Sequence, residues 1–146
     1  MISITEATEK DLDQLGTLSK LLWTNETIEG LTITFKETLY RPHEVTFVAK
    51  ADHKAVGLSI FSIRSEYVEG AQGTPTGYLE AIVVDEAHSS KGIAQLLLEK
   101  GTEWCKTRGC TQLGSDVEID NSISQSFHLK QGFHEVNRLV CYIKQI

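Results

Sequence analysis

The segment Ser89-Ser90-Lys91-Gly92-Ile93-Ala94 separates an apolar run ending at Val84 from a stretch, Ala94, Leu97, Leu98, Gly101 and Cys105, with the period of one helix face. A loop in that position aims several unpaired N–H groups at one point, which suits a phosphate or pyrophosphate. Gly92 lets a ligand approach the backbone closely, and Lys91 adds a positive charge. Neither Gly-x-x-x-x-Gly-Lys nor Gly-x-Gly-x-x-Gly occurs, so this is not a Walker or dinucleotide loop. Three other side chains are suited to proton chemistry. Glu80 interrupts an apolar strand pattern whose alternation puts it on one face with Tyr78, Ile82 and Val84, where a charge needs a partner or solvent. Asp116 begins an acidic stretch in which Glu118 and Asp120 read as a solvated turn and a helix cap. His128 follows Asn121 and Ser124 on one helical side, and an imidazole exchanges its proton near neutral pH.

The elements that must position these groups follow from periodicity. Ile2 and Ile4 alternate with polar residues as a short strand, and Thr8-Glu9-Lys10-Asp11 has the form of a capping box. Leu12, Leu15, Leu18 and Leu22 then predict a helix to about Trp23, and Ile28, Leu31, Phe35 and Leu39 a second, stopped at Pro42. Val45–Lys50 and Ala55–Arg64 predict a hairpin about Ala51–Lys54. A turn-rich loop, Glu69–Pro75, leads to a strand over Gly77–Val84, followed by the long helix ending near Gly109. Thr111–Val117 is a further strand, Asp120 or Asn121 caps a short helix to Lys130, and Phe133–Ile146 forms the final strands. The order predicts an α/β fold with a mixed sheet in one domain, residues 1–146.

Composition removes several classes of function. A net charge of −6 repels phosphate backbones, so no nucleic-acid partner is expected. The longest apolar runs fall far short of the ~20 residues that span a bilayer, and no basic-then-apolar leader opens the chain, so a cytoplasmic protein is expected. Cys105, Cys110 and Cys141 cannot all pair and read as reduced thiols; their spacing matches no strong zinc pattern, and no metal is expected.

At the level of whole motifs, Tyr78–Val84, Ser89–Ala94 and Asn121-x-x-Ser124-x-x-x-His128-x-x-x-Gly132-Phe133 resemble the strand, pyrophosphate loop and last helix of GNAT-superfamily acetyltransferases. Leu22-Trp23, Glu66–Gly70, Thr74-Pro75, Gly77–Glu80, Ser115-Asp116 and Asp120–Gln125 more narrowly resemble the aminoglycoside 6'-N-acetyltransferases. The resemblance implies the GNAT acyltransferase fold, a mixed central sheet flanked by helices, and direct attack of an aminoglycoside amine on acetyl-CoA in a ternary complex. It assigns Lys91, Gly92, Ile93 and Ala94 to the pyrophosphate, and the backbone of Ile82, Val83 and Val84 to the pantetheine, with help from the side chain of Asn121. It also implies that Glu80 holds the substrate ammonium, with either Glu80 or Asp116 as the base. His128 stands where many relatives use a tyrosine to protonate the departing thiolate. Trp23 and Tyr67, aromatics otherwise expected in a core, become walls of the acceptor site, together with Glu26 and with Asn137, where relatives often carry glutamate. Ser89 departs from the arginine or glutamine usual in the family. The same resemblance implies a homodimer built through Phe133–Ile146, and it leaves open another small amine, a protein amino group, or a non-catalytic acyl-CoA-binding module.

Overall fold

Alternation along the hairpin decides the architecture. Val45, Phe47 and Ala49 of one strand pack with Val56 and Phe61 of the next on one side, while Val48, Ala55 and Leu58 pack on the other. In the computed structural model, which describes residues 1–146, five strands form one sheet in the order β1 (Ile2–Glu6), β2 (Glu44–Ala51), β3 (Lys54–Arg64), β4 (Thr76–Val84), β5 (Leu113–Ser115). The first four are antiparallel, and β5 joins β4 in parallel. The sheet is thus mixed, as expected from the order of elements.

Two helices, α1 (Leu12–Ser19) and α2 (Ile28–Thr38), cover the face of Val48 and Leu58 through Leu15, Leu18 and Phe35. The opposite face carries α3 (Ile93–Lys106), which sets Ile93, Leu97, Leu98 and Cys105 against Phe61 and Leu79. Close approach is enforced at Gly101, where an added Cβ would stand 1.9 Å from the Phe61 ring. The last helix, α4 (Ser122–Lys130), starts at an Asn121 cap whose side chain accepts the Ser124 N–H. No helix is long and apolar enough to cross a membrane.

Four expectations are corrected. First, α1 ends at Ser19 rather than near Trp23. Tight turns follow, with the N–H groups of Leu21 and Leu22 returning to Leu18 and Ser19, and the Lys20 ammonium binding the carbonyls of Thr24 and Glu26. Second, β5 is only three residues long, because β4 and β5 pair at Gly77–Leu113, Tyr78–Gly114 and Leu79–Ser115 and then part. Third, β4 is bulged: Ile60 pairs with Ala81 and Phe61 with Leu79, so Glu80 is the extra residue. The bulge resets the alternation, and Glu80 does not share a face with Ile82 and Val84, which pack toward α3. Fourth, Phe133–Ile146 forms no strand. Beyond Phe133 its apolar side chains, including Leu139, Val140, Tyr142 and Ile143, are exposed, because a strand needs a sheet edge and the arm pairs with none within its own chain.

Candidate active site

The parting of β4 and β5 sets the site. Glu80 and Asp116 each follow the last paired residue of their strand, Leu79 and Ser115, so two carboxylates flank the apex of a V. Arg64, from the end of β3, meets Glu80 through Nη2 at 2.9 Å from both carboxylate oxygens and through Nε at 3.1 Å from Oε2. Ser62 Oγ donates to Glu80 Oε2 at 2.5 Å. The Arg64 guanidinium lies over the Tyr78 ring, 3.4 Å from its centre. Tyr78 Oη in turn donates to Asp116 Oδ2 at 2.5 Å. Burial, and then the bond to Asp116, push the Tyr78 hydroxyl far above its ordinary titration range, so it stays a donor. Glu80 and Asp116 are therefore joined through Arg64 and Tyr78, and each still faces solvent.

His128 sits on α4 at the side of Ser115. Its Nδ1 is 2.7 Å from the Ser124 carbonyl and its Nε2 is 2.8 Å from Ser115 Oγ. Phe127 and Phe133 pack against the ring.

On the far arm of the V, Ala81, Ile82, Val83 and Val84 pair with β3 on one edge, while their other edge, beyond Leu79, meets no strand. That edge leads to the start of α3. Gly92 there adopts φ +77° and leaves the helix without a side-chain cap, so the first-turn N–H groups point outward. Lys91 is exposed beside them, and Ser89 Oγ donates to the Glu86 carbonyl. An open strand edge ending in an uncapped helix start fits an extended chain with a terminal anionic group.

A profile of the Acetyltransferase (GNAT) family matches residues 12–133. The chain belongs to the GNAT acetyltransferase family. GNAT relatives at full length include aminoglycoside N(6')-acetyltransferases type 1 of Acinetobacter haemolyticus, 33% identical, and Salmonella typhimurium, 32% identical, each alignment spanning 99% of both chains. The solved structure of an aminoglycoside N-acetyltransferase in complex with CoA superposes with a TM-score of 0.95 at 31% identity, over 100% of this chain and 96% of that one. An aminoglycoside 6'-N-acetyltransferase of Acinetobacter baumannii superposes with a TM-score of 0.92 at 33% identity, over 100% and 99%.

Within this GNAT domain the remaining expected residues fall into separate groups. Trp23 and Glu26 line a cleft of about 290 Å³ under α2, floored by Ile60, which pairs with Ala81 beside the bulge. Tyr67 is 78% exposed and donates to Glu69, which also accepts from Asn137 Nδ2 at 2.6 Å. Tyr67 and Asn137 therefore meet on Glu69 at the root of the C-terminal arm. Asn121 spends its side-chain oxygen on the α4 cap. Arg64, Tyr78, Ser62 and Ser115 were missed in the sequence. The one available signal was that Ser62 and Arg64, two residues apart on β3, share one face of the sheet. Cys105 is no candidate nucleophile: it is buried, and burial, reinforced by neighbouring Cys110, pushes its thiol up to about 12.

Proposed function

We propose that the chain transfers the acetyl group of acetyl-CoA to the 6'-amine of an aminoglycoside, as a single domain, by direct attack in a ternary complex. The observation that carries this reading is the pair of solvent-facing carboxylates, Glu80 and Asp116, at the point where β4 and β5 part. Aminoglycosides are polycations, and an acidic cleft raises their local concentration and orients them. The relatives named above act on this class, and one homologous structure, with a TM-score of 0.94, holds a bisubstrate analogue that joins CoA to an acetylneamine.

On the donor side, the open edge of Ile82, Val83 and Val84 holds the pantetheine, and Lys91 with the N–H groups of Gly92, Ile93 and Ala94 holds the pyrophosphate. Apart from the Lys91 ammonium these groups are backbone, which accommodates Ser89 in place of a charged residue. Asn121 offers its amide nitrogen to the same ligand. On the acceptor side, Glu80, clamped by Arg64 and Ser62, anchors the ammonium. Asp116 takes the amine proton so that the lone pair can attack the thioester. Trp23 and Glu26 line one wall of the acceptor cleft; Tyr67 and Asn137, gathered on Glu69, border it at the arm. His128 serves the leaving thiolate.

The occupant of the open β5 edge is a second copy of this chain. A cleft of about 390 Å³ runs beside β5, lined by Gly114, Ser115, Phe133 and Val136, and the exposed apolar arm is of a length to pair there in exchange between two protomers. Light scattering at working concentration is expected to give a dimer mass, and a monomer for Val140→Asp with Ile143→Asp. The free thiols accord with a reducing compartment, the cytoplasm.

Thiol release from acetyl-CoA tests the reaction. Turnover is expected with kanamycin A, which has a 6'-amine, and none with paromomycin, which has a 6'-hydroxyl. Turnover with both would transfer the reaction to another amino group, and silence with both would overturn the acceptor class.

A further inference from the structure

The ring of His128 is held at both nitrogens. Nδ1 lies 2.7 Å from the Ser124 backbone oxygen, and a carbonyl only accepts, so Nδ1 carries a hydrogen. Its second neighbour on that side, Ser124 Oγ, is at 3.5 Å. A neutral imidazole therefore has a bare Nε2, which accepts from Ser115 Oγ at 2.8 Å. The residue interposed at the apex of the V is Ser115, in the last β4–β5 pair, with its hydroxyl 3.5 Å from the Leu79 carbonyl. His128 Nε2 meets the apex at that hydroxyl.

We infer that Ser115 is the immediate proton donor to the departing CoA thiolate and that His128 supplies it through Nε2. This rests on the acetyl-transfer reading, in which the open β4 edge brings the thioester to the apex. The sequence is a two-proton relay. As the C–S bond breaks and its electron pair stays on sulfur, the Ser115 O–H proton passes to sulfur, and the Nε2–H proton of the His128 imidazolium passes to the Ser115 oxygen. His128 is left neutral with its hydrogen on Nδ1, still bonded to the Ser124 carbonyl, and one proton from solvent restores the imidazolium. Phe127 and Phe133 keep the ring in this orientation. The groups packed on the ring, Ser115 from β5, Ser124 and Phe127 from α4, and Phe133 from the arm, carry no charge. The ionisable residues adjoining them are Asp116 just past β5, Tyr78 and Glu80 on β4, Lys130 on α4 and His134 on the arm.

Nitrogen NMR of histidine-labelled free enzyme tests the geometry without turnover. The neutral form of His128 is expected to carry its hydrogen on Nδ1; a hydrogen on Nε2 would overturn the relay. Kinetics test the roles. Ser115→Ala and His128→Gln are each expected to lower kcat roughly 10–100-fold while the Kd for CoA stays near wild type. The double variant is expected to lose no more than the weaker single variant, as for two residues in series. His128→Gln also tests a merely structural histidine, since its amide can still bond Ser115; near-full activity in that variant, or multiplied losses in the double variant, would overturn the proposal. Silence of the wild type with every aminoglycoside would instead refute the acetyl-transfer reading and leave the NMR result standing.

Discussion

Arg64 and Glu80 form a forked ion pair, with Nη2 2.9 Å from both carboxylate oxygens and Nε 3.1 Å from Oε2. With Ser62 also donating to Oε2, one oxygen is fully engaged and Oε1 keeps an open lone pair toward solvent. The fork fixes where an incoming ammonium meets the carboxylate. Arg64→Met is expected to lower kcat/KM for the aminoglycoside by about 10–100-fold, with the KM for acetyl-CoA unchanged. Steady-state kinetics at fixed ionic strength checks this. A lowered aminoglycoside KM would mean that Arg64 competes with the substrate for Glu80.

The Tyr78 bond to Asp116 leads to a separable effect. Tyr78 is buried and its hydroxyl remains protonated well above neutral pH, so it donates to Asp116 throughout the working range. Tyr78→Phe removes one hydrogen bond to a charged group and keeps the ring under Arg64. The expected loss is about tenfold in kcat, equivalent to ~1.4 kcal/mol. Asp116→Asn, which removes the base itself, is expected to cost about 100-fold or more. Equal small losses in both variants would place the base elsewhere.

Gly92 offers a test of the donor side alone. Its φ of +77° is strained for any residue with a Cβ, while the space around it is open. Gly92→Ala therefore acts through backbone conformation rather than a clash within the fold. The expected result is a rise in the Kd for CoA of about tenfold by calorimetry, with little change in aminoglycoside KM. Lys91→Ala is expected to weaken CoA less and to reduce the salt dependence of binding.

How far these features are legible in the sequence depends on their range. α2, α3 and the β2–β3 hairpin follow from local period and turn chemistry, since Leu31, Phe35, Leu97 and Leu98 are buried where the period sets them. The bulge at Glu80 does not, because it is defined by pairing with Ile60 and Phe61 on another strand. For the same reason simple alternation set Ile82 and Val84 on the face of Tyr78 and Glu80. Arg64, Tyr78 and Ser115 were overlooked because each looks like an ordinary strand residue until β3, β4 and β5 are side by side. The final strands were read from an apolar pattern that does exist in Leu139, Val140 and Ile143, but a pattern cannot supply the edge it pairs with.

Asp11 links this architecture to pH. Its side chain is 4% exposed and its Oδ1 lies 2.7 Å from the Lys50 ammonium, tying the entrance of α1 to β2. Burial alone pushes the carboxyl up, but the Lys50 ammonium and the N–H and hydroxyl of Thr8 together outweigh it and hold the group below its ordinary 3.8. A carboxyl depressed by folding contributes stability that is fully present above its unfolded value and is lost as pH falls through its folded value. The Tm is therefore expected to hold this contribution at neutral pH and lose it below about pH 3.8. Asp11→Ala is expected to cost about 1–3 kcal/mol at pH 7, seen as a lower Tm, and to flatten the acid slope. Thermal unfolding from pH 7 down to 3 in both proteins decides the matter, and an acid slope that is unchanged in Asp11→Ala would assign the linkage to other carboxylates.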